Sequence, residues 1–483
     1  MNSTKAVYTW STIDRIGTAT VTTIGNIILA RMLTPDDFGL VAMVGIFIAI
    51  AYNMSNCGMI DGIIRKSCPT AEDYSTMLVF NAAMGLLFCA LFLAMAHPIA
   101  QFFGRRELVG IMWTIGFCFV FNALSLSQEA RMRKELRTDQ LAKVRVGSTI
   151  CAVGFGIILA MIGAGYWAIV SCRVFVSVFH FIFCLFITRW MPRLAFYRDS
   201  FKELFGFGVH LMMAFVARQI GANISTFALG RYSPTASGLY SQAQKVEEVP
   251  YGIAETSFVN VFFAILSNED DHNKRRTLTF SMFQTMLFLA LILGGGLLVI
   301  SRPMIVGVFG EQWAGSVPIF RILLAFGIFG FMKSYFQAIM KTHGTAKKIR
   351  NLTFIEVGLQ LLLLACAYPL GITYIAWSQV IPVFLVLLAY TVEFMRTEQI
   401  SFKLMAKATL KTSLIPFIVT ASTASGYFFG SDNISLWANF FTIIAVYLTI
   451  AALLCEGFRP KCYMQVRNAI MARRQKNQNI SNK

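Results

Sequence analysis

Apolar runs of about 20 residues recur from one end of this chain to the other, each long enough to cross a hydrocarbon core of roughly 30 Å as a helix. They fall at residues 8–30, 37–57, 74–98, 108–127, 142–163, 166–188, 205–229, 236–264, 278–300, 314–340, 350–369, 372–394, 409–429 and 434–455, about fourteen in all. Nothing between them resembles a separate soluble domain. Residues 1–33 carry one early Lys5 and then a full-length apolar helix containing Asp14 and Arg15, so they read as a first transmembrane helix and not as a cleavable signal peptide.

The polar gaps alternate in charge. Arg131, Arg133, Lys134, Arg137, Lys143 and Arg145 cluster around the fourth gap and Arg189, Arg193, Arg198 and Lys202 around the sixth. Arg65 and Lys66, residues 274–276, 341–350 and 396–411 add basic residues to the other even gaps, whereas the odd ones hold only Arg31, Arg105, Arg106, Arg231 and Arg302. By the positive-inside rule the even gaps are cytoplasmic. Both termini are then cytoplasmic too, including a basic tail at 458–483. One missed helix would invert every later loop, and no inversion appears. The outer loops are short, which leaves no room for an outer catalytic domain.

A weak internal repeat has a period of about 200 residues, the symmetry expected of a transporter. ARMLTPDDFGL at 30–40 and GRYSPTASGL at 230–239 each place a Thr or Ser as N-cap before a Pro, then Gly-Leu one turn into the helix. AKVR at 142–145 and AKKIR at 346–350 follow in the same order, each opening a span. Six spans per copy is an even number, so the copies are related by an axis along the membrane normal. The expected fold is all-α and polytopic: a six-helix bundle at 1–190, a second at 191–396, and an extra helix pair at 397–457.

Composition agrees with the pattern. The 483 residues are 56% hydrophobic and 14% charged, with a mean hydropathy of +0.63, against roughly 25% charged residues in soluble domains. A net charge of +18 would suggest nucleic acid in a soluble protein. Here it resides in alternate loops, and no nucleic-acid partner is expected. The ten cysteines are scattered, with no CxxC pair, and the five histidines are isolated, which argues against metal and disulfide roles. No GxxxxGK[ST] loop exists to hydrolyse ATP. No cofactor is expected.

ARMLTPDDFGLVAMV at 30–44 closely resembles the junction of the first two helices in Wzx-type polysaccharide (O-antigen) flippases. These belong to the multidrug/oligosaccharidyl-lipid/polysaccharide exporter superfamily, and the nearest branch is the colanic-acid and teichuronic-acid exporters. The resemblance implies a transporter, not an enzyme, in the bacterial cytoplasmic (inner) membrane. It would export an undecaprenyl-diphosphate-linked oligosaccharide for lipopolysaccharide O-antigen, capsule or exopolysaccharide by alternating access. Membrane lipids, a polysaccharide polymerase and assembly proteins are the partners this implies.

A sugar headgroup crosses lipid only through a polar cavity, since each unpaired hydroxyl costs roughly 4–8 kcal/mol in hydrocarbon. Ionisable residues inside spans point to that cavity. Arg15 and Arg218 lie at positions about one helical turn apart in the repeat, and guanidinium groups suit a diphosphate. Arg15 has two blander readings, pairing with Asp14 or reaching to the cytoplasmic face. The eighth span is the most polar, with Tyr240, Gln244, Glu248, Tyr251 and Glu255 at helical spacing, Lys245 and Glu247 alongside, and Pro250 as a kink. Arg15, Arg218, Lys245, Gln244 and Glu248 are the substrate-binding candidates, and Asp14, Glu247 and Glu255 the candidates for ion coupling. The competing reading of span eight is a structural network in which Lys245 pairs with Glu248. Arg173, Arg321, Lys333 and Glu356 read as structural.

Two other functions stay in view. A multidrug cation antiporter of the same superfamily would favour acids over bases in its first bundle, where Arg15 and Arg173 stand against Asp14. A membrane polysaccharide polymerase or ligase would need ionisable residues clustered at the outer face, which the sequence lacks.

The topology is testable with single cysteines in a Cys-less background. Those at Ser67 and Thr138 should react only from the cytoplasm, and those at Asp36 and Gln312 only from outside. Labelling of position 312 from inside overturns the span count.

Overall fold

The computed structural model describes residues 4–56, 58–259, 262, 266, 271–343, 345–430 and 436–458. The basic tail lies outside them. Among the described residues every regular element is helical, and the protein is an all-α, multi-pass membrane protein. Among the described residues each of the fourteen apolar segments overlaps a helix. In chain order the helices are α1 (Thr4–Met32), α2 (Pro35–Met43), α3 (Gly45–Asn56), α4 (Met59–Arg65), α5 (Ala71–Phe103), α6 (Glu107–Lys134), α7 (Thr138–Met161), α8 (Tyr166–Thr188) and α9 (Arg198–Gly230). Then come α10 (Pro234–Ala254), a π-helical turn Glu255–Val259, α11 (His272–Val299), α12 (Ser301–Phe309), α13 (Ser316–Thr342), α14 (Ala346–Ala367), α15 (Ile372–Thr397), α16 (Phe402–Gly430) and α17 (Leu436–Phe458).

Ten of these helices are long and apolar enough to cross a membrane, and α2 with α3, bent by 45° at their break, would make an eleventh. The helices α1, α9 and α10 match predicted spans in position but fall outside that set. Large apolar side chains such as Leu86, Phe117, Ile158 and Phe186 are exposed on the outer faces, as expected of surfaces that meet lipid. At about 1.5 Å per residue, the 33-residue α5 reaches roughly 50 Å and must emerge from the core.

The chain divides into two compact units, 1–241 and 242–483. In the first, α1 packs on α7, α5 on α6, and α8 on both α6 and α7, while α9 lies against α3, α4 and α5. In the second, α13 packs on α15, α11 on α13 and α16, and α14 on α15.

Local sequence sets the helix starts. Thr34 caps α2 in a capping box: its backbone N–H donates to Asp37 Oδ2 at 3.0 Å, and Asp37 N–H donates to Thr34 Oγ1 at 3.4 Å. Thr70 and Asp73 repeat the device at α5. Ser233 caps α10 by accepting from Ala236 N–H at 3.0 Å. The N-caps and prolines read from the repeated motif are therefore as expected.

The Gly-Leu of each motif has a reason that spacing did not reveal. The two motifs cross within the first unit. A Cβ on Gly39 would stand 1.8 Å from the carbonyl oxygen of Pro234, and one on Gly238 would stand 1.9 Å from that of Pro35. Each glycine thus accepts the backbone that opens the other motif's helix, and Thr235 Oγ1 donates to Asp36 Oδ1 across the same contact.

Polar contacts gather the even-gap loops of this unit. Lys66 Nζ binds Asp73 at 3.0 Å and Glu203 at 2.9 Å, and Lys134 Nζ donates to the Ile64 carbonyl at 2.9 Å. The hydrogen bonds to Glu203 and Asp73 hold the Lys66 ammonium above its usual range. Arg131 lies 4.4 Å over the ring of Trp190, and Tyr197 N–H donates to Thr76 Oγ1 at 3.0 Å. These contacts fasten the connection between α8 and α9.

Gly39→Ala and Gly238→Ala should each lose about 1–3 kcal/mol, the range for overpacking a filled contact, and lower the unfolding temperature in lipid nanodiscs. Gly154→Ala, in α7 with nothing within 4 Å of its added Cβ, should hold or raise it. Equal effects at all three positions would contradict a close crossing.

Candidate functional site

The most concentrated charge inside the helices lies in the first unit. One stripe of α6, Phe119, Asn122, Leu126, Glu129 and Arg133, faces a cavity of about 190 Å³, which Arg145 of α7, Tyr52 of α3 and Ile60 of α4 complete. Glu129, 5% exposed, is the hub. Its Oε1 accepts from Arg133 Nε at 3.0 Å, Arg133 Nη2 at 2.6 Å and Arg145 Nη2 at 2.5 Å. Oε2 lies 3.5 Å from His180 Nε2 on α8. Arg145 Nη1 reaches back to Asp14 Oδ2 on α1 at 3.4 Å. Four helices are tied to one buried carboxylate.

Charge is balanced there. Arg133 and Arg145 stand against Glu129 and Asp14, and the guanidiniums supply the hydrogen bonds that make a buried carboxylate tolerable. A second cavity, of about 80 Å³ among Phe47, Phe88, Phe92, Met95, Ile99 and Met112, offers no polar side chain.

Of the candidates read from the sequence, the network takes in Asp14 alone. Its partner is Arg145, not the neighbouring Arg15. Arg15 is exposed and has no hydrogen-bond or ion-pair partner among the described residues. The side chain of Arg218 lies outside the described residues.

On α10 the structure separates what the sequence grouped. Tyr240, Gln244, Glu247 and Tyr251, at steps of four, three and four residues, form the more buried face, whereas Lys245, Glu248 and Glu255 are exposed. Within the second unit, Glu247 and Tyr251 press on glycines. A Cβ on Gly327 would stand 2.2 Å from Glu247 Oε1, and one on Gly294 would stand 2.7 Å from the Tyr251 hydroxyl. Pro250 stays inside the helix, and the break follows it as the π-helical turn that begins at Glu255.

The second unit has its own interior ion pair, Lys333 Nζ to Glu356 Oε1 at 2.7 Å, linking α13 to α14. Gln337 Nε2 donates to the Tyr390 hydroxyl of α15 at 3.2 Å nearby. Arg321 Nε donates to Ser301 Oγ at 2.8 Å, and Arg173 is exposed.

Sequence reasoning missed Glu129, and it used Arg133 and Arg145 only as markers of topology. A signal was present: Glu129 and Arg133 sit one turn apart on a stripe with Asn122 and Phe119. Nothing in the sequence joined that stripe to Asp14 or His180.

Over residues 28–318 the chain matches the family described as polysaccharide biosynthesis protein. It is 24% identical over 481 residues to the teichuronic acid biosynthesis protein TuaB of Bacillus subtilis (strain 168), covering 96% of each chain. It is 23% identical over 327 residues to the lipopolysaccharide biosynthesis protein WzxC of Escherichia coli (strain K12), covering 66% of each. Among solved structures its fold is similar to that of the lipid II flippase MurJ in an inward closed conformation. The TM-score is 0.75 at 14% identity, over 93% of this chain and 99% of that one.

Removing the hub should be costly. Glu129→Ala leaves Arg133 without its acceptor and Arg145 with Asp14 alone, and should destabilise the protein by about 3–5 kcal/mol, as breaking a buried pair does. Glu203→Ala, at the exposed end of the Lys66 pair, should cost at most about 1 kcal/mol. Thermal unfolding in nanodiscs compares them, and similar losses would contradict the hub.

Proposed function

The chain belongs to the polysaccharide biosynthesis protein family, and on that premise we propose that it is a flippase, not an enzyme, that exports lipid-linked oligosaccharide. Its substrate is an undecaprenyl-diphosphate-linked repeat unit for O-antigen, capsule or exopolysaccharide. It works by alternating access in the bacterial cytoplasmic membrane. The observation that carries this reading is charge held inside apolar helices in both units, Glu129 with Arg145 and Lys333 with Glu356. Ionisable groups in spans are expensive and mark polar routes.

The termini and the even gaps are cytoplasmic in this reading. The crossing of α2 and α10 is then on the outer side and must part when the cavity opens outward. Duplication of a six-span unit, with bundles at 1–190 and 191–396, is supported by spacing: Glu129 and Lys333 are 204 residues apart, as are Ala142 and Ala346. Arg15, Arg218, Lys245, Gln244 and Glu248 are assigned to the diphosphate and sugar headgroup, and Asp14, Glu247 and Glu255 to any ion coupling. A polymerase and assembly proteins receive the exported unit. The multidrug reading is weaker because the two acids of the first unit's cavity network, Asp14 and Glu129, are already met by arginines.

The cargo carries about two negative charges. Outward movement of one charge down an inside-negative potential releases roughly 2.3 kcal/mol per 100 mV, so the potential is sufficient to drive export if the cavity's cations stay nearly fixed in the field. In proteoliposomes holding purified lipid-linked oligosaccharide, a potassium–valinomycin potential at equal pH should drive net flipping, and Arg218→Ala with Lys245→Ala should abolish it. Flipping driven by a pH gradient alone, and lost in Glu255→Gln, would move the energy source to the acids of α10. Absence of any flipping would remove the function.

A further inference from the structure

The cavity on the α6 stripe has hydrogen-bonding capacity that its own network leaves unused. Arg133 engages Glu129 through Nε and Nη2, leaving Nη1. Arg145 engages Asp14 and Glu129 through its two terminal nitrogens, leaving Nε. Among the described residues, neither the Tyr52 hydroxyl nor the Asn122 side-chain amide has a hydrogen-bond partner. Tyr52 is 51% exposed, so its ring is open to an occupant.

Three properties decide the occupant's class. The fixed charges cancel, two arginines against two acids, which gives a diphosphate or a carboxylate no net attraction, and the acids are already claimed against a cation. A lipid tail would strip water from the Tyr52 hydroxyl, the Asn122 amide and two guanidinium N–H groups without replacing it. The volume, about 190 Å³, is below the roughly 300–1,000 Å³ of sites for drug-sized ligands, so it admits one ring and not an oligosaccharide.

A neutral sugar ring satisfies all three. Its hydroxyls both donate and accept, matching an amide, a phenol and two guanidinium N–H groups, and its C–H face can lie on the ring of Tyr52. We infer that this cavity of the first unit is a monosaccharide subsite for an uncharged hexose or hexosamine. Tyr52 is its platform, and Asn122, Arg133 and Arg145 are its hydrogen-bonding wall. Glu129 is a positioning residue that holds both guanidiniums in place. The inference rests on the flippase reading for its physiological ligand, one sugar of the cargo, while the binding itself is measurable without transport.

The protein in nanodiscs free of glycoside detergent is probed by saturation-transfer NMR with glucose, galactose, N-acetylglucosamine, glucuronate and inorganic pyrophosphate. At least one neutral sugar should bind, about tenfold more weakly in Tyr52→Ala and in Asn122→Ala, with Glu203→Ala, at the exposed Lys66 pair, unchanged. Tyr52→Phe keeps the platform and should retain part of the binding. It replaces the alanine variant if that one fails to fold. Binding of glucuronate or pyrophosphate alone, no binding of any sugar, or neutral-sugar binding indifferent to Tyr52 and Asn122 overturns the subsite. Flipping of lipid-linked oligosaccharide is measured on the same preparation. Flipping without sugar binding removes only the subsite, and sugar binding without flipping removes only the transport function.

Discussion

A carboxylate among apolar helices is the constraint on which the first unit depends. Moving an ion out of water costs several kcal/mol even after relaxation, and only good geometry with further hydrogen bonds offsets it. Glu129 meets that condition through Arg133 one turn along its own helix and Arg145 on the next, with Asp14 against Arg145 and His180 beside Glu129. The helices α1, α6, α7 and α8 are thereby held in one register. The same arrangement keeps a wall of the cavity polar, which an apolar core of equal stability would not. Polar interiors are what a carrier of polar headgroups requires.

The second constraint is steric. Two copies of a short motif, each a capped helix start with a glycine one turn in, cross so closely that neither Gly39 nor Gly238 has room for a Cβ. In membranes such small-residue contacts bring helices together where the hydrophobic effect gives no drive. Across that close packing Thr235 donates a hydrogen bond to Asp36.

Much of the fold was legible because a bilayer imposes a length and a polarity on each helix. Among the described residues each apolar segment overlaps a helix, ten or eleven of them long and apolar enough to span, and the caps at Thr34 and Ser233 stand where Pro35 and Pro234 announced them. The site was less legible. Helical spacing placed Gln244, Glu248, Tyr251 and Glu255 with Tyr240, but the 100° step between neighbours puts Glu247 on the buried face in place of Glu248. Asp14 is buried, yet its partner Arg145 lies on a helix that sequence spacing cannot bring to it. Arg133 and Arg145 look like loop charges because they sit within a few turns of a basic gap, and only the packing of α6 on α7 and α8 shows that they turn inward.

The central claim, that this protein moves a lipid-linked oligosaccharide between leaflets, is tested most directly by the face on which that lipid accumulates. Cells depleted of the protein, but still assembling the repeat unit, are compared with undepleted cells as spheroplasts and as everted vesicles. Both are treated with a membrane-impermeant periodate-based sugar label. The account predicts that depletion confines labelling to everted vesicles, while undepleted spheroplasts also label. Equal labelling of depleted and undepleted spheroplasts would contradict it.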